Sequence, residues 1–322
     1  MTRTPQSALP PGFRDLASQD AARRRQTDTR LAAMFESRGY REVLPSGIEF
    51  LDVYTRGNQI ISERAFKFLD REDRLLALRA DFTPAVARML ASRVIPGAEP
   101  TRVWYSGNVF RRVEPRKGGY AEFWQVGAEL IGGSSVTLDA ELIGLALESL
   151  DAVGMSSASV HINHAGIFRG ILNAANLPEN ARERLASEID HKDARSLAAH
   201  LEELGVAAAI GQQVHVLARC IGGTEVLEEA AGVLTDAESR AAIAHLQQLA
   251  AALKDRADRL VFDLTEIDEM EYYTGIMFTL LSPARRSPLG TGGRYDTLLR
   301  AFGNDAPAVG FSLAMDSVLE GR

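Results

Sequence analysis

The sequence predicts an α+β fold built on a mainly antiparallel sheet, and three observations carry that reading. Strand-like and helical runs do not alternate regularly, so the βαβ repeat of a parallel sheet is missing. Two runs rich in aromatic and β-branched residues, 102–110 and 121–130, flank a charged segment and read as one long hairpin. Between about 134 and 259 the texture turns to alanine, leucine and glutamate, as in packed amphipathic helices, before strand-like runs resume.

The chain opens on a polar, proline-bearing arm ending in Leu9-Pro10-Pro11-Gly12-Phe13-Arg14-Asp15. A helix is expected from about Ser18, with Ala22, Leu31, Met34 and Phe35 on its apolar face and Gly39 at its stop. Residues 41–44 read as a strand ended by Pro45, and 65–78 as a hairpin turning through Asp70 to Asp73. Thr83 stands where a helix cap is wanted, and Pro84 falls in the first turn, where its missing N–H costs nothing. Helices are expected at 138–153, 180–187, 194–204 and 237–253, with one strand at 159–163 among them. Further strands follow at 260–264, 275–281 and 308–313. This order describes a sheet domain carrying a mainly helical insertion at about 165–258.

Composition narrows the function classes. At 46% hydrophobic and 25% charged residues the chain can bury a core, and its 322 residues suit about two domains by length alone. The net charge of −7 argues against a protein whose main task is holding nucleic-acid phosphates. Cys220, the single cysteine, excludes a disulfide framework and a cysteine-rich zinc site. There is no run of about 18 apolar residues, and Met1 to Gly12 has no apolar stretch of a signal peptide, so a cytoplasmic location is expected.

Familiar chemistry is mostly excluded. The glycines of Gly290-Thr291-Gly292-Gly293-Arg294-Tyr295-Asp296 lack the Gly-Lys-Ser/Thr of a phosphate loop and the βαβ setting of a dinucleotide site, and they read as a strand-to-helix turn. His161 and His164 have no ligand-spaced partners, so no metal is expected, and no Gly-x-Ser-x-Gly elbow exists. The long hairpin is richer. Gln125, Gly127 and Glu129 fall at period two and share a face, over which Arg111 can lie. Such a set can hold a zwitterion, Arg on its carboxylate and Glu on its N–H groups, or it can be a solvated cross-strand salt bridge. The residues alone leave both open.

Several blocks together carry a resemblance. Val109-Phe110-Arg111-Arg112, the loop Pro115 to Tyr120, and Glu122 to Glu129 resemble motif 2 of the histidyl-tRNA synthetases. Leu78-Arg79-Ala80-Asp81-Phe82-Thr83-Pro84 is similar to that family's LRPEGT stretch, and Tyr272-Tyr273-Thr274-Gly275 to its DYYTG motif. Gly292 to Asp296 and Val309-Gly310-Phe311 resemble the run into motif 3, and Gly39 to Pro45 motif 1. The resemblance implies a class II aminoacyl-tRNA synthetase-like fold over 1–322, dimerising through motif 1. It also implies a histidine site of Asp81, Thr83, Arg111, Gln125, Glu129, Tyr272 and Tyr273, with Glu129 and Tyr273 on the imidazole.

Departures from the family pattern fall on its nucleotide chemistry. An activating arginine is Asp268 here, the motif 3 arginine is Ser317, and the motif 2 glutamate is Val113. One cation about 4 Å from a phosphate is worth roughly 4 kcal/mol at an effective dielectric near 20, and a carboxylate there reverses the sign. Losing about 4 kcal/mol slows a step roughly a thousandfold. The chain also ends soon after motif 3, where a synthetase would continue into an anticodon-binding domain. This pattern resembles the regulatory subunits of ATP phosphoribosyltransferase, the first enzyme of histidine biosynthesis. That resemblance implies a noncatalytic subunit without cofactor, permitting feedback by L-histidine and joined to short-form catalytic chains in a hetero-octamer of four plus four. Two other readings remain: an adenylating enzyme drawing on Arg112, Arg116 or Arg294 as replacement cations, and an RNA-binding module.

Overall fold

The computed structural model describes residues 9–57, 59–95, 97–112, 120–175, 203, 208–265 and 273–319. The strands among them are β1 (Arg41–Glu42), β2 (Ile48–Phe50), β3 (Lys67–Leu69), β4 (Leu75–Leu78), β5 (Thr101–Phe110), β6 (Glu122–Ile131) and β7 (Ser159–His164), followed by β8 (Ile221–Gly222), β9 (Leu260–Asp263), β10 (Ile276–Leu281), β11 (Gly290–Arg294) and β12 (Ala308–Ala314). One large sheet runs β1-β5-β6-β12-β11-β10-β7-β9-β8, and a small one runs β2-β4-β3. All pairs are antiparallel except β1 with β5 and β7 with β9.

The expected hairpin is its longest ladder. β5 and β6 pair along their whole length, from Thr101 opposite Ile131 to Phe110 opposite Glu122. Alternation then separates two faces. Trp104, Trp124, Val126, Ala128 and Leu130 point to one side, into a core shared with Leu31 and Phe35 of the helix Ser18–Ser37 and Leu142 to Leu150 of the helix Val136–Ala152. The other face carries Tyr105, Gln125 and Glu129 toward a second cluster with Phe82, Tyr273 and Tyr295. Both tryptophans are core residues, and Cys220 is a buried filler whose Sγ donates to Val216 O.

Several expectations need correction. On the first helix Ala22 is exposed, because the sheet meets only its second half. The run Arg23-Arg24-Arg25 suggests a solvated helix face, but Arg24 stacks over the Trp124 ring at 4.8 Å and donates to Asn108 Oδ1 at 2.5 Å. The first strand stops at Glu42, and β2 was not foreseen. Asp81, not Thr83, caps the helix Phe82–Ala91, two residues earlier than the pattern suggested. The glycines of 290–294 form strand β11 rather than a turn, since a Cβ at Gly290 or Gly292 would strike the carbonyls of the neighbouring strand. The block between β7 and β9 holds the helices Ala165–Ala175, Ala208–Leu217, Glu225–Val233 and Ala237–Ala252, and its β8 extends the sheet edge. The helix expected at 180–187 and nearly all of that at 194–204 lie outside the described residues.

Candidate functional site

Face sharing on the central strands builds the site. Gln125, Gly127 and Glu129 of β6 stand opposite Ala314, Ser312 and Gly310 of β12. The glycines let large groups close over this floor. A Cβ at Gly127 would meet the Tyr105 hydroxyl at 2.5 Å, and one at Gly310 would overlap Glu129 Oε2. Asp81 at the start of its helix, Arg111 just past β5, and Tyr273 wall the floor into a cavity of about 140 Å³.

Asp81 organises one part of the lining. It is 3% exposed, and its Oδ1 accepts from Phe82 N at 2.9 Å and from Gln125 Nε2 at 3.1 Å. Arg111 Nη2 lies 3.5 Å from the same oxygen. Arg111 Nε donates to Ala80 O at 2.6 Å, so the guanidinium is turned inward. Gln125 is buried, and its Oε1 has no hydrogen-bond partner among the described residues. An unsatisfied buried carbonyl costs about 1–3 kcal/mol, which an entering N–H donor offsets. Two carbonyl or carboxylate acceptors beside one guanidinium complement a small zwitterion.

Glu129 lies beneath this wall, fully buried. Thr83 Oγ1 donates to its Oε1 at 2.9 Å and the Tyr105 hydroxyl at 3.1 Å, while the Tyr295 hydroxyl donates to Oε2. Burial pushes its carboxyl up to about 8, a shift the three hydroxyls oppose and nearby Asp81 adds to. The solvated cross-strand pair is therefore not what forms: Arg111 reaches Asp81, and Glu129 is dry.

The rest of the lining is Phe123, with Arg111 over its ring at 5.3 Å, Ala314 opposite Gln125, and Pro288, Thr291 and Ser312; among the described lining residues Asp81 and Arg111 alone are charged. Ser317 sits in the short helix Met315–Leu319, where its carbonyl accepts from Arg285 Nε at 3.0 Å. Neighbouring Asp316 pairs with Arg14 and accepts from Trp124 N at 2.7 Å.

Of the seven residues expected to hold histidine, Asp81, Thr83, Arg111, Gln125 and Tyr273 come together around the cavity, with Glu129 one layer below. Tyr272 lies outside the described residues, as do Asp268, Val113 and the loop 115–119. Of the candidate replacement cations, Arg112 donates to Glu63 O and Arg294 is buried on Asp139, while Arg116 lies outside the described residues. Tyr295 and Phe123 also line the cavity and were not singled out. Tyr295 stands in the Gly-Gly-Arg-Tyr-Asp run, where its position beside a floor glycine was the available signal.

A family model described as histidyl-tRNA synthetase matches residues 12–318. An ATP phosphoribosyltransferase regulatory subunit of Geobacter metallireducens is 36% identical over 324 residues, covering 98% of this chain and 75% of its own length. A regulatory subunit of Moorella thermoacetica is also 36% identical, over 98% of this chain and 82% of its own. The chain belongs to this histidyl-tRNA synthetase-like family of regulatory subunits. The class II fold is borne out in the same comparison. A Bacillus halodurans structure described as an ATP phosphoribosyltransferase regulatory subunit/histidyl-tRNA synthetase superposes with a TM-score of 0.91 at 29% identity, over 99% of this chain and 84% of that one. A histidyl-tRNA synthetase from Nostoc, 19% identical, shares the fold with a TM-score of 0.80 over 98% of this chain and 74% of its own. Among the described residues no helix is long and apolar enough to cross a membrane.

Proposed function

We propose that this chain is the noncatalytic regulatory subunit of an ATP phosphoribosyltransferase and binds L-histidine in the cavity between Asp81 and Tyr273. One observation carries the reading: the cavity keeps an oriented set of acceptors around the unpartnered Gln125 Oε1, while its only described cation, Arg111, is engaged by Asp81 and Ala80 O. Such a wall suits the amino and carboxylate groups of an amino acid, and among the described lining residues it offers a triphosphate no cation but the engaged Arg111. In this reading Glu129, Tyr272 and Tyr273 complete the imidazole side, with Glu129 acting at least partly through Thr83 and Tyr295.

The partner is a short-form catalytic subunit, in an assembly of four regulatory and four catalytic chains built on a regulatory homodimer through motif 1. Histidine acts by population shift, binding one arrangement of the complex more tightly than the other. Linkage then requires the catalytic partner to change histidine affinity by the factor by which histidine changes partner affinity. The test is to assay a short-form phosphoribosyltransferase with and without this chain while titrating histidine. Activation by the chain together with histidine inhibition supports the proposal. Equal rates in both conditions refute it.

A further inference from the structure

Arg294 is a buried arginine that the histidine site does not use. It ends β11, one residue before the cavity-lining Tyr295, and is 3% exposed. Its Nε and Nη2 donate to Asp139 Oδ1 at 3.0 and 2.5 Å, and its Nη1 donates to Gly133 O at 3.0 Å and Asp296 Oδ1 at 2.9 Å. All three guanidinium nitrogens are thus engaged. Asp139 is itself wholly buried on the helix Val136–Ala152. His245 from the helical block reaches within 3.0 Å of Asp139 Oδ2, off the line a hydrogen bond needs. A guanidinium and carboxylate buried this completely are expensive to desolvate, and stability alone is a weak reason to keep them.

What Arg294 holds is the wall of the cavity. Its carbonyl accepts from Thr274 N at 2.8 Å and from Thr274 Oγ1 at 3.3 Å, and Thr274 Oγ1 in turn accepts from Asp296 N at 3.0 Å. Its aliphatic stem lies on Gly275, where a Cβ would come within 2.9 Å of Arg294 Cδ. Next to it, the Tyr273 ring lies against Gly293, whose missing Cβ would fall 2.6 Å from the ring. The segment Tyr273–Gly275 is therefore clamped to 293–296 by side chain, backbone and close approach together.

We propose that Arg294, locked by Asp139, is a positioning residue for the ligand cavity: it fixes the Tyr273–Gly275 wall in the geometry that receives the amino acid. This rests on the histidine reading above. Recognition loosens when supporting contacts let a wall drift by about 1 Å, even if every contacting side chain is present.

The experiment is calorimetric titration of L-histidine into the full chain, with thermal midpoints measured alongside. Arg294→Lys keeps the charge but loses the fork to Asp139, and Thr274→Val keeps all charges but cuts the link to Asp296. Each is expected to weaken histidine binding about tenfold. The double variant Tyr273→Ala with Arg294→Lys should bind no more weakly than Tyr273→Ala alone, since Arg294 acts through that wall. A merely structural role would lower the midpoint while the folded chain bound histidine unchanged, or would give additive losses. Either result overturns the inference. If Arg294→Lys does not fold, Thr274→Val carries the test. If the unmodified chain takes up no histidine, the histidine reading fails and this inference with it. Binding by the unmodified chain and by all variants alike sinks the inference alone.

Discussion

In one part of the cavity lining Asp81, Gln125 and Arg111 are joined through Asp81 Oδ1 around a carbonyl that awaits a donor; in another, Pro288, Thr291 and Ser312 bring no charge. The two parts share the floor strands β6 and β12, so the backbone is not what separates them. They differ in what their side chains are tied to. An amino-acid wall needs polar groups oriented beforehand by the protein. A triphosphate needs cations left available to it, and here Arg111 is bonded inward and the position resembling the motif 3 arginine is Ser317. In the proposed function the first part keeps recognition and the second carries no nucleotide chemistry.

The strongest way to break this contrast is at Asp81. Asp81→Ala leaves Phe82 N uncapped, Gln125 Nε2 unbonded and Arg111 without its carboxylate. Histidine affinity should fall by about 3 kcal/mol, roughly a hundredfold, in a calorimetric titration. A fall of less than about threefold would show that this wall does not bind the ligand.

A smaller effect separates the dry floor from the rest. Glu129 has its carboxyl raised from 4.5 to about 8 by burial, and His164 is lowered from 6.5 to about 3, also by burial. Between pH 4.5 and 6.5 the folded chain gains a proton on Glu129 and forgoes one on His164, so the two contributions to stability oppose each other. From pH 6.5 to about 8 Glu129 acts alone: the folded state binds more proton, and stability falls as pH rises. The slope is at most about 1.4 kcal/mol per pH unit. Denaturant unfolding across that range should lose this slope in Glu129→Gln; an unchanged slope would place the titration elsewhere.

Least is expected from returning one cation at position 317. Ser317→Arg should tighten ATP binding only severalfold, about 1 kcal/mol, because Ser317 is half-buried and a charge there is screened by solvent. Histidine affinity should not move. An adenylating variant would mean the two parts are not independent.

The sequence made the floor legible and left much of the wall hidden. Period-two spacing alone put Gln125, Gly127 and Glu129 on one face, and the β5–β6 ladder has them there. The same spacing could not say that Glu129 is dry, because burial depends on Thr83, Tyr105 and Tyr295 arriving from three other segments. Arg111 was placed over the face, but its choice of Asp81 over Glu129 is a long-range contact. The glycines of β11 misled for a related reason. Locally they read as a turn, whereas their purpose is to admit Tyr273, Phe278 and the strand β12. Thr83 looked like a cap because it precedes a proline, and it turned out to serve Glu129 while Asp81 took the cap.

In the proposed function one cleft receives an amino acid and carries out no nucleotide chemistry. Its most direct test measures both on the same purified chain, with histidine uptake by calorimetry and histidine-dependent ATP–pyrophosphate exchange by isotope. The account predicts saturable, one-site histidine binding with exchange at the level of a protein-free blank. Exchange above that blank, or no histidine uptake, would contradict it.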